Sequence, residues 1–247
     1  GGFAAAKMYA LPGTLAGLVA ADVDHKTGVD LLVSNATTGQ VSLLKNDGTG
    51  TFTSTAGFIP GLVSPTGLAS GDFNGDKFPD VVVVSQTAAT AQVCLNQAGA
   101  SYMCTSSVAP GTNGAVVVGD IGTDGFADYV LTSPNSTTVM AYTGKGNGTF
   151  NAATSSTNVA TAAWKHMQLV DIDLDTYADL VFVNGGNNVG VCKGNGSGTF
   201  TAASVTRNVG VTPNYVAVGQ LNTATDQKLD FAVGTVAGLA VMTANHN

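Results

Sequence analysis

The sequence predicts an all-β fold in which a unit of short strands repeats five times, and three observations carry that prediction. The acidity is of one kind: all 16 acidic residues are aspartate and none is glutamate. Glutamate is a good helix former, whereas aspartate favours turns and metal loops. The apolar runs are short, with Val81–Val84 and Ala115–Val118 among the longest, and no window carries the 3.6-residue period of an amphipathic helix. Finally, one acidic stretch, DFNGDKFPD at residues 72–80, returns in phase along the chain.

Its relatives are DVDHKTGVD (22–30), DIGTDGFAD (120–128), DIDLDTYAD (171–179) and a looser QLNTATDQKLD (220–230) with two extra residues. Their first residues, Asp22, Asp72, Asp120, Asp171 and Gln220, lie 50, 48, 51 and 49 residues apart. A short apolar run precedes each stretch, and two follow it, as in DVVVVSQ and AQVCLNQ. A Gly-rich turn then ends in an aromatic: Phe52, Tyr102, Phe150 or Phe200. Four short strands in such a repeat make a propeller blade, and radial repetition protects the strand edges. The blades are expected at about 15–60, 65–110, 113–160, 164–210, and 213–247 with 1–14, as one five-bladed β-propeller domain of four-stranded antiparallel blades. The last repeat stops after its third run, GLAVMTANHN, while the opening GGFAAAKMYALPGT reads like a fourth-strand segment. Counted round the ring, Phe3 falls 50 residues after Phe200. The N-terminal strand is therefore expected to complete the C-terminal blade and close the ring, with Phe3 and its four counterparts in the core.

A net charge of -7 and a single arginine, Arg207, argue against a phosphate-binding face and hence against nucleic acid. No apolar run approaches the ~20 residues of a membrane helix, so no membrane insertion is expected. No signal-peptide pattern is present, and the chain is expected to be the processed form of a secreted, extracellular protein. Cys94 and Cys104 flank a hairpin turn, LNQAGASYM, and form either a cross-strand disulfide or a pair of small buried residues. Cys192 is left as a buried thiol. A bridge would point to an oxidising compartment.

The loop D-x-[DN]-x-D-x-x-x-D, followed by an apolar strand and later by G-x-G-T-F, resembles the FG-GAP/VCBS repeats of integrin alpha-subunit propellers and of secreted microbial and fungal lectin propellers. Those propellers usually have seven blades, against five repeats here. The resemblance implies that each loop holds a calcium ion between the first two strands of its blade. The residue chemistry agrees independently, because calcium takes six to eight oxygens at about 2.3–2.6 Å and alternate positions of a tight loop converge on one centre. Gly75 and Gly125 ease the turn. Loop two offers Asp72, Asn74, Asp76, the Phe78 carbonyl and Asp80. Loop four offers Asp171, Asp173, Asp175, the Tyr177 carbonyl and Asp179. Loop three has Gly122 at the third position and relies on Asp120, Asp124, the Phe126 carbonyl, Asp128 and water. In loop one, with Asp22, Asp24 and Asp30, Lys26 stands where a ligand belongs and is expected to replace the cation. Loop five keeps only Asn222, Asp226 and Asp230 and is assigned no metal. About two or three structural calcium ions are expected; oxygen-only ligands exclude zinc and copper. The alternative is that the aspartates only make turns.

Five-bladed propellers also carry glycoside hydrolases, so fold does not settle chemistry. Glycosidases need two carboxylates beside the scissile bond, and only Asp47 lies outside the repeat loops. His25, His166 and His246 are scattered, and no G-x-S-x-G, H-E-x-x-H or C-x-x-C occurs. A polysaccharide lyase has no visible constellation either. The expectation is a non-catalytic, lectin-like module binding carbohydrate, with a protein-adhesion propeller as the alternative and a structural spacer as a third. Trp164, Lys165 and His166 enter blade four where other repeats carry Leu15, Pro65, Asn113 and Pro213, and Tyr215 lies in the equivalent segment of blade five. These four are the candidate ligand contacts.

Overall fold

The computed structural model describes residues 5–85, 87–105, 115–132, 136–156, 164–202, 205–221 and 229–243. Every named element among them is a strand, in five antiparallel sheets that each follow chain order. The first sheet holds β1 (Leu15–Ala21), β2 (Asp30–Asn35), β3 (Gln40–Asn46) and β4 (Phe52–Ile59). The second holds β5 (Pro65–Gly71), β6 (Asp80–Ser85), β7 (Thr90–Asn96) and β8 (Tyr102–Cys104). The third is β9 (Val116–Gly119), β10 (Asp128–Thr132), β11 (Val139–Tyr142) and β12 (Thr154–Ser156). The fourth is β13 (Trp164–Val170), β14 (Asp179–Asn184), β15 (Asn188–Cys192) and β16 (Val205–Asn208). The fifth has three strands among the described residues: β17 (Pro213–Gly219), β18 (Asp230–Thr235) and β19 (Gly238–Met242).

Each acidic loop joins the first two strands of its sheet, so its last aspartate, the ninth residue in the first four loops, opens the second strand. Strands β6, β10 and β14 are buried along their whole length. A strand covered on both faces reads as a continuous apolar run, which explains Val81–Val84. Alternation then sends its side chains opposite ways. Val81 and Val83 pack with Leu32 and Val41 of the first sheet, while Val82 and Val84 pack with Tyr129 and Leu131 of the third. In β14, Leu180 and Phe182 face the third sheet, and Val181 and Val183 face Val216 and Val233 of the fifth. The core is thus four apolar layers between five face-to-face sheets. Each buried Val or Leu in them contributes about 1.5–3 kcal/mol.

The recurrent aromatics sit at these joints. The Phe150 ring stands edge-on to Phe73 of the preceding sheet and to Tyr129 of its own. Phe200 is buried, Phe52 and Tyr102 are half-buried, and Phe3 lies outside the described residues. The first strands β1, β5, β13 and β17 each carry a register shift near their first residue. One cavity of about 510 Å³ is lined by all five first strands, through Val19, Leu68, Val117, His166 and Val218 among others. Cys94 and Cys104 are cross-strand partners and their sulfurs are bonded. Cys192 is a buried thiol outside any disulfide, its pKa pushed up to about 12 by burial.

The N-terminal segment is in no strand over residues 5–14. It lies against the first sheet: the Tyr9 hydroxyl accepts the Phe52 amide at 3.1 Å, and Lys7 Nζ donates to Thr51 Oγ1 at 2.8 Å. Among the described residues the structure shows five blade-like sheets, with no fourth strand on β19.

Candidate metal centres

The ninth-position aspartates are fully built into the fold. Asp30, Asp80, Asp128 and Asp179 are buried, and each accepts at least two backbone amides, Asp128 a third from Gly122. Their Oδ2 atoms take the amides of Val23, Phe73, Ile121 and Ile172, the second residues of the loops, at 2.8–3.2 Å. Their Oδ1 atoms take the amides of Asn46, Asn96, Gly144 and Gly194, where the third strand ends, at 2.6–2.9 Å. Asp230 Oδ2 accepts the Leu221 amide at 2.8 Å in the same way. These residues staple loop, second strand and third strand together, a task beyond the ligand role read from the motif. Burial outweighs the amide bonds and raises Asp80 to about 6, with the Asp76 and Asp72 charges adding to the rise. Burial likewise raises Asp128 and Asp179.

The remaining loop positions cluster toward solvent. In loop two Asp72 accepts the amides of Asn74, Gly75 and Lys77, and Asp76 accepts that of Phe78 and the Asn74 amide group. In loop four Asp171 accepts from Asp175 and Thr176, and Asp175 from Tyr177. In loop three Asp120 accepts from Gly125 and Asp124 from Phe126. The chain turns left-handed at the fourth and sixth positions, where Gly75 and Gly125 have φ of 80° and 82° while Leu174 and Thr176 adopt 65° and 78°. Only glycine takes such angles without cost. At the seventh position the Phe126 and Tyr177 rings lie over Gly146 and Gly196, where an added Cβ would come within 2.3 and 2.4 Å of the ring. Phe78 instead stacks on His25 of the neighbouring loop, centroids 4.3 Å apart.

Two loops bring three carboxylates together with ligand atoms within 4.8 Å of one another: Asp22, Asp24 and Asp30, and Asp171, Asp173 and Asp179. In the first, Asp22 Oδ1 is buried with no hydrogen-bond partner. A buried, unpartnered carboxylate oxygen among hard oxygen donors is what a cation such as calcium satisfies. The residues present therefore fit a metal ion, and loop one, to which the sequence assigned none, fits as well as loop four. Lys26, expected to stand in for that cation, is largely exposed and 3.5 Å from Asp24 Oδ2. The closer partner is Lys45, from the end of β3, on the same oxygen. Lys193 takes the same place on Asp173 in loop four. Lys45 holds Asp24 below the usual carboxylate range and Lys193 does so for Asp173. Neither lysine was read from the sequence, although QVSLLKN and NVGVCKG place them at equivalent positions. In loop five, Asn222 and Asp226 lie outside the described residues.

The four candidate ligand contacts do not stay together. Trp164 is 6% exposed, packs on Phe182 and donates its indole N–H to the Ser136 carbonyl at 2.9 Å. It is core, filling the start of β13 against the third sheet, and not a ligand platform. Lys165, at the register shift between Trp164 and His166, is exposed. His166 is half-buried beside Tyr215, with ring centroids 5.5 Å apart, its Nδ1 without a partner and its pKa lowered by burial. Tyr215 is 67% exposed. Asp47 is a turn residue, held below the usual carboxylate range by the Thr49 hydroxyl and amide.

Asp80→Ala strands the amides of Phe73 and Asn96 in the core, at about 1–3 kcal/mol each. A loss of about 3 kcal/mol or more is expected in denaturant unfolding with EDTA present. Asp76→Ala, on the exposed rim, is expected to change the same measurement by less than about 1 kcal/mol. Equal losses would remove the distinction between staple and rim.

Residues 22–83 and 120–182, just over half of the chain, match the family model of the FG-GAP-like repeat. The two matches begin on the first aspartates of loops one and three. No curated protein sequence matches the chain. Among solved structures, an Agrocybe aegerita lectin, described for specific recognition of non-reducing terminal N-acetylglucosamine, is similar at TM-score 0.59 and 19% identity over 88% of this chain. This chain spans 60% of the lectin's length. BBS1N in complex with ARL6DN is similar at TM-score 0.61 and 14% identity, over 97% of this chain and 70% of that one. A second structure of that complex, soaked with mercury, gives 0.63 and 12%, over 95% and 63%. At such identities the likeness is one of fold. With its matched repeats covering half of its length and its acidic loops in phase with its sheets, this chain belongs to the FG-GAP-like repeat family.

Proposed function

We propose that the chain is a secreted, calcium-stabilised and non-catalytic binding module whose ligand is carbohydrate. The observation that carries this is the placement of the acids. Fifteen of the 16 aspartates fall in the five repeat loops, and Asp47, the one aspartate elsewhere, is spent on a turn. No carboxylate pair is left over for glycosidic chemistry. Asp72, Asn74, Asp76, the Phe78 carbonyl and Asp80 would hold the ion in loop two, Asp120, Asp124, the Phe126 carbonyl and Asp128 in loop three, and Asp171, Asp173, Asp175, the Tyr177 carbonyl and Asp179 in loop four. Calcium there would offset crowded negative charge and fix the loops.

Carbohydrate is favoured over other ligands by the N-acetylglucosamine-binding lectin of similar fold. A protein ligand is the second reading, favoured by the complex formed by BBS1N. Exposed Tyr215, with the half-buried His166 ring beside it, supplies an aromatic face suited to a sugar. A glycan array probed in calcium is expected to return one family of related sugars, lost with Tyr215→Ala without a change in melting midpoint. An array without signal in calcium would turn the reading to protein.

The fold is proposed to be a closed five-bladed ring with the N-terminal segment on the open edge of β19. Tyr9 supports this. It bonds to Phe52 of the first blade as Ser156, six residues after Phe150, bonds to the Phe200 amide at 2.9 Å. Phe58, six residues after Phe52, packs edge-on to Tyr102 in the same relation. Tyr9 stands six residues after Phe3, the place of an outer strand belonging to the blade before the first. Solution scattering from a closed ring is expected to give a radius of gyration of about 18 Å, and a clearly larger value would mean an open stack.

A further inference from the structure

The residue just before the amide that caps the ninth aspartate is Lys45 in the first blade, Leu95 in the second, Thr143 in the third and Lys193 in the fourth. The third loop position is Asp24, Asn74, Gly122 and Asp173 in the same order. The two vary together. Where the third position is an aspartate the partner is lysine, and the two are ion-paired. Where it is neutral, the partner is neutral.

We propose that Lys45 and Lys193 are tethered counter-cations that compete with a divalent ion for the third-position carboxylates of loops one and four. This rests on the reading that the loops take calcium. The Asp24 side chain is 6% exposed, so its charge needs a partner at all times. The lysine side chains are 44% and 48% exposed, so each ammonium can withdraw into water when an ion arrives. Loops two and three have no such substitute and depend on the ion alone. The acidic loops therefore fall into two classes, one charge-balanced from within the blade and one not.

Calcium titration calorimetry on the intact chain, with parallel melts in EDTA, tests this. Lys193→Met is expected to tighten one calcium site about tenfold, the effect of removing one nearby positive charge. Lys45→Met is expected to add a site or tighten one by a similar factor. In EDTA both variants are expected to melt below wild type, because Asp173 loses Lys193 and Asp24 is left with only the more distant Lys26. Asn74→Asp is expected to melt low in EDTA and to be rescued by adding Leu95→Lys, which installs the pair in the second blade. Unchanged affinities together with unchanged chelated midpoints in both lysine variants overturn the proposal. Absence of calcium binding by wild type would defeat the calcium reading alone, and the chelated melts would still decide whether the lysines act as counter-cations.

Discussion

In each blade one carboxylate ties three parts of the chain together, and the rest of the structure is arranged around it. Asp80 bonds the start of its own loop through Phe73 and the end of the third strand through Asn96. The partners are seven residues before it and 16 after it, so a single side chain fixes the loop, the strand pairing and the depth of the blade. Hydrogen bonds to a charged group are worth about 1.5–3 kcal/mol, which makes the pair a strong local constraint. The arrangement leaves a charge buried at the base of an acidic loop. Burial drives that carboxyl upward, to about 6 for Asp80, and positive charge nearby is the physical remedy.

The same loops also bolt the sheets to one another. In the first three loops the carbonyl of the second residue receives a donor from the next sheet: Val23 from Asn96 Nδ2, Phe73 from the Gly148 amide and Ile121 from the Gly198 amide. Gly148 and Gly198 take left-handed angles of 79° and 75°, which glycine alone adopts freely. Each such loop thus braces its own strands and the turn of its neighbour, and a cation in it would hold both. The stability of each inter-sheet layer is coupled to the order of one loop.

Much of this was legible in the sequence because the repeat is written in phase. The acidic loop, the apolar second strand and the aromatic turn recur at near-constant spacing, and the strands fall where the runs predict. What escaped notice did so for physical reasons. The ninth aspartate reads as an ion ligand because the motif shows only its spacing; the amides it accepts come from backbone, which has no sequence signature. Lys45 and Lys193 reach their partners across a hairpin some 20 residues away, and a long flexible stem does not announce its direction. Their equivalence was nonetheless visible in the repeat alignment. Trp164 was misread because it occurs once: the absence of a counterpart in other blades suggested that the fold does not need it. The third sheet offers the Ser136 carbonyl at that one place, and the indole fills it. Whether Cys94 and Cys104 join was open from spacing alone and follows from their register on β7 and β8.

The account stands on the acidic loops being joints held by cations, and one measurement bears on that directly. Calcium bound per chain is counted by elemental analysis, and thermal melts are recorded in excess calcium and in EDTA. At a thousandfold excess over its dissociation constant a single site adds about 4 kcal/mol. For a domain of this length that raises the midpoint by roughly 10 °C. The account predicts two or more ions per chain and a shift of at least that size. A chain with no bound calcium and superimposable melts would reduce the loops to turns and contradict it.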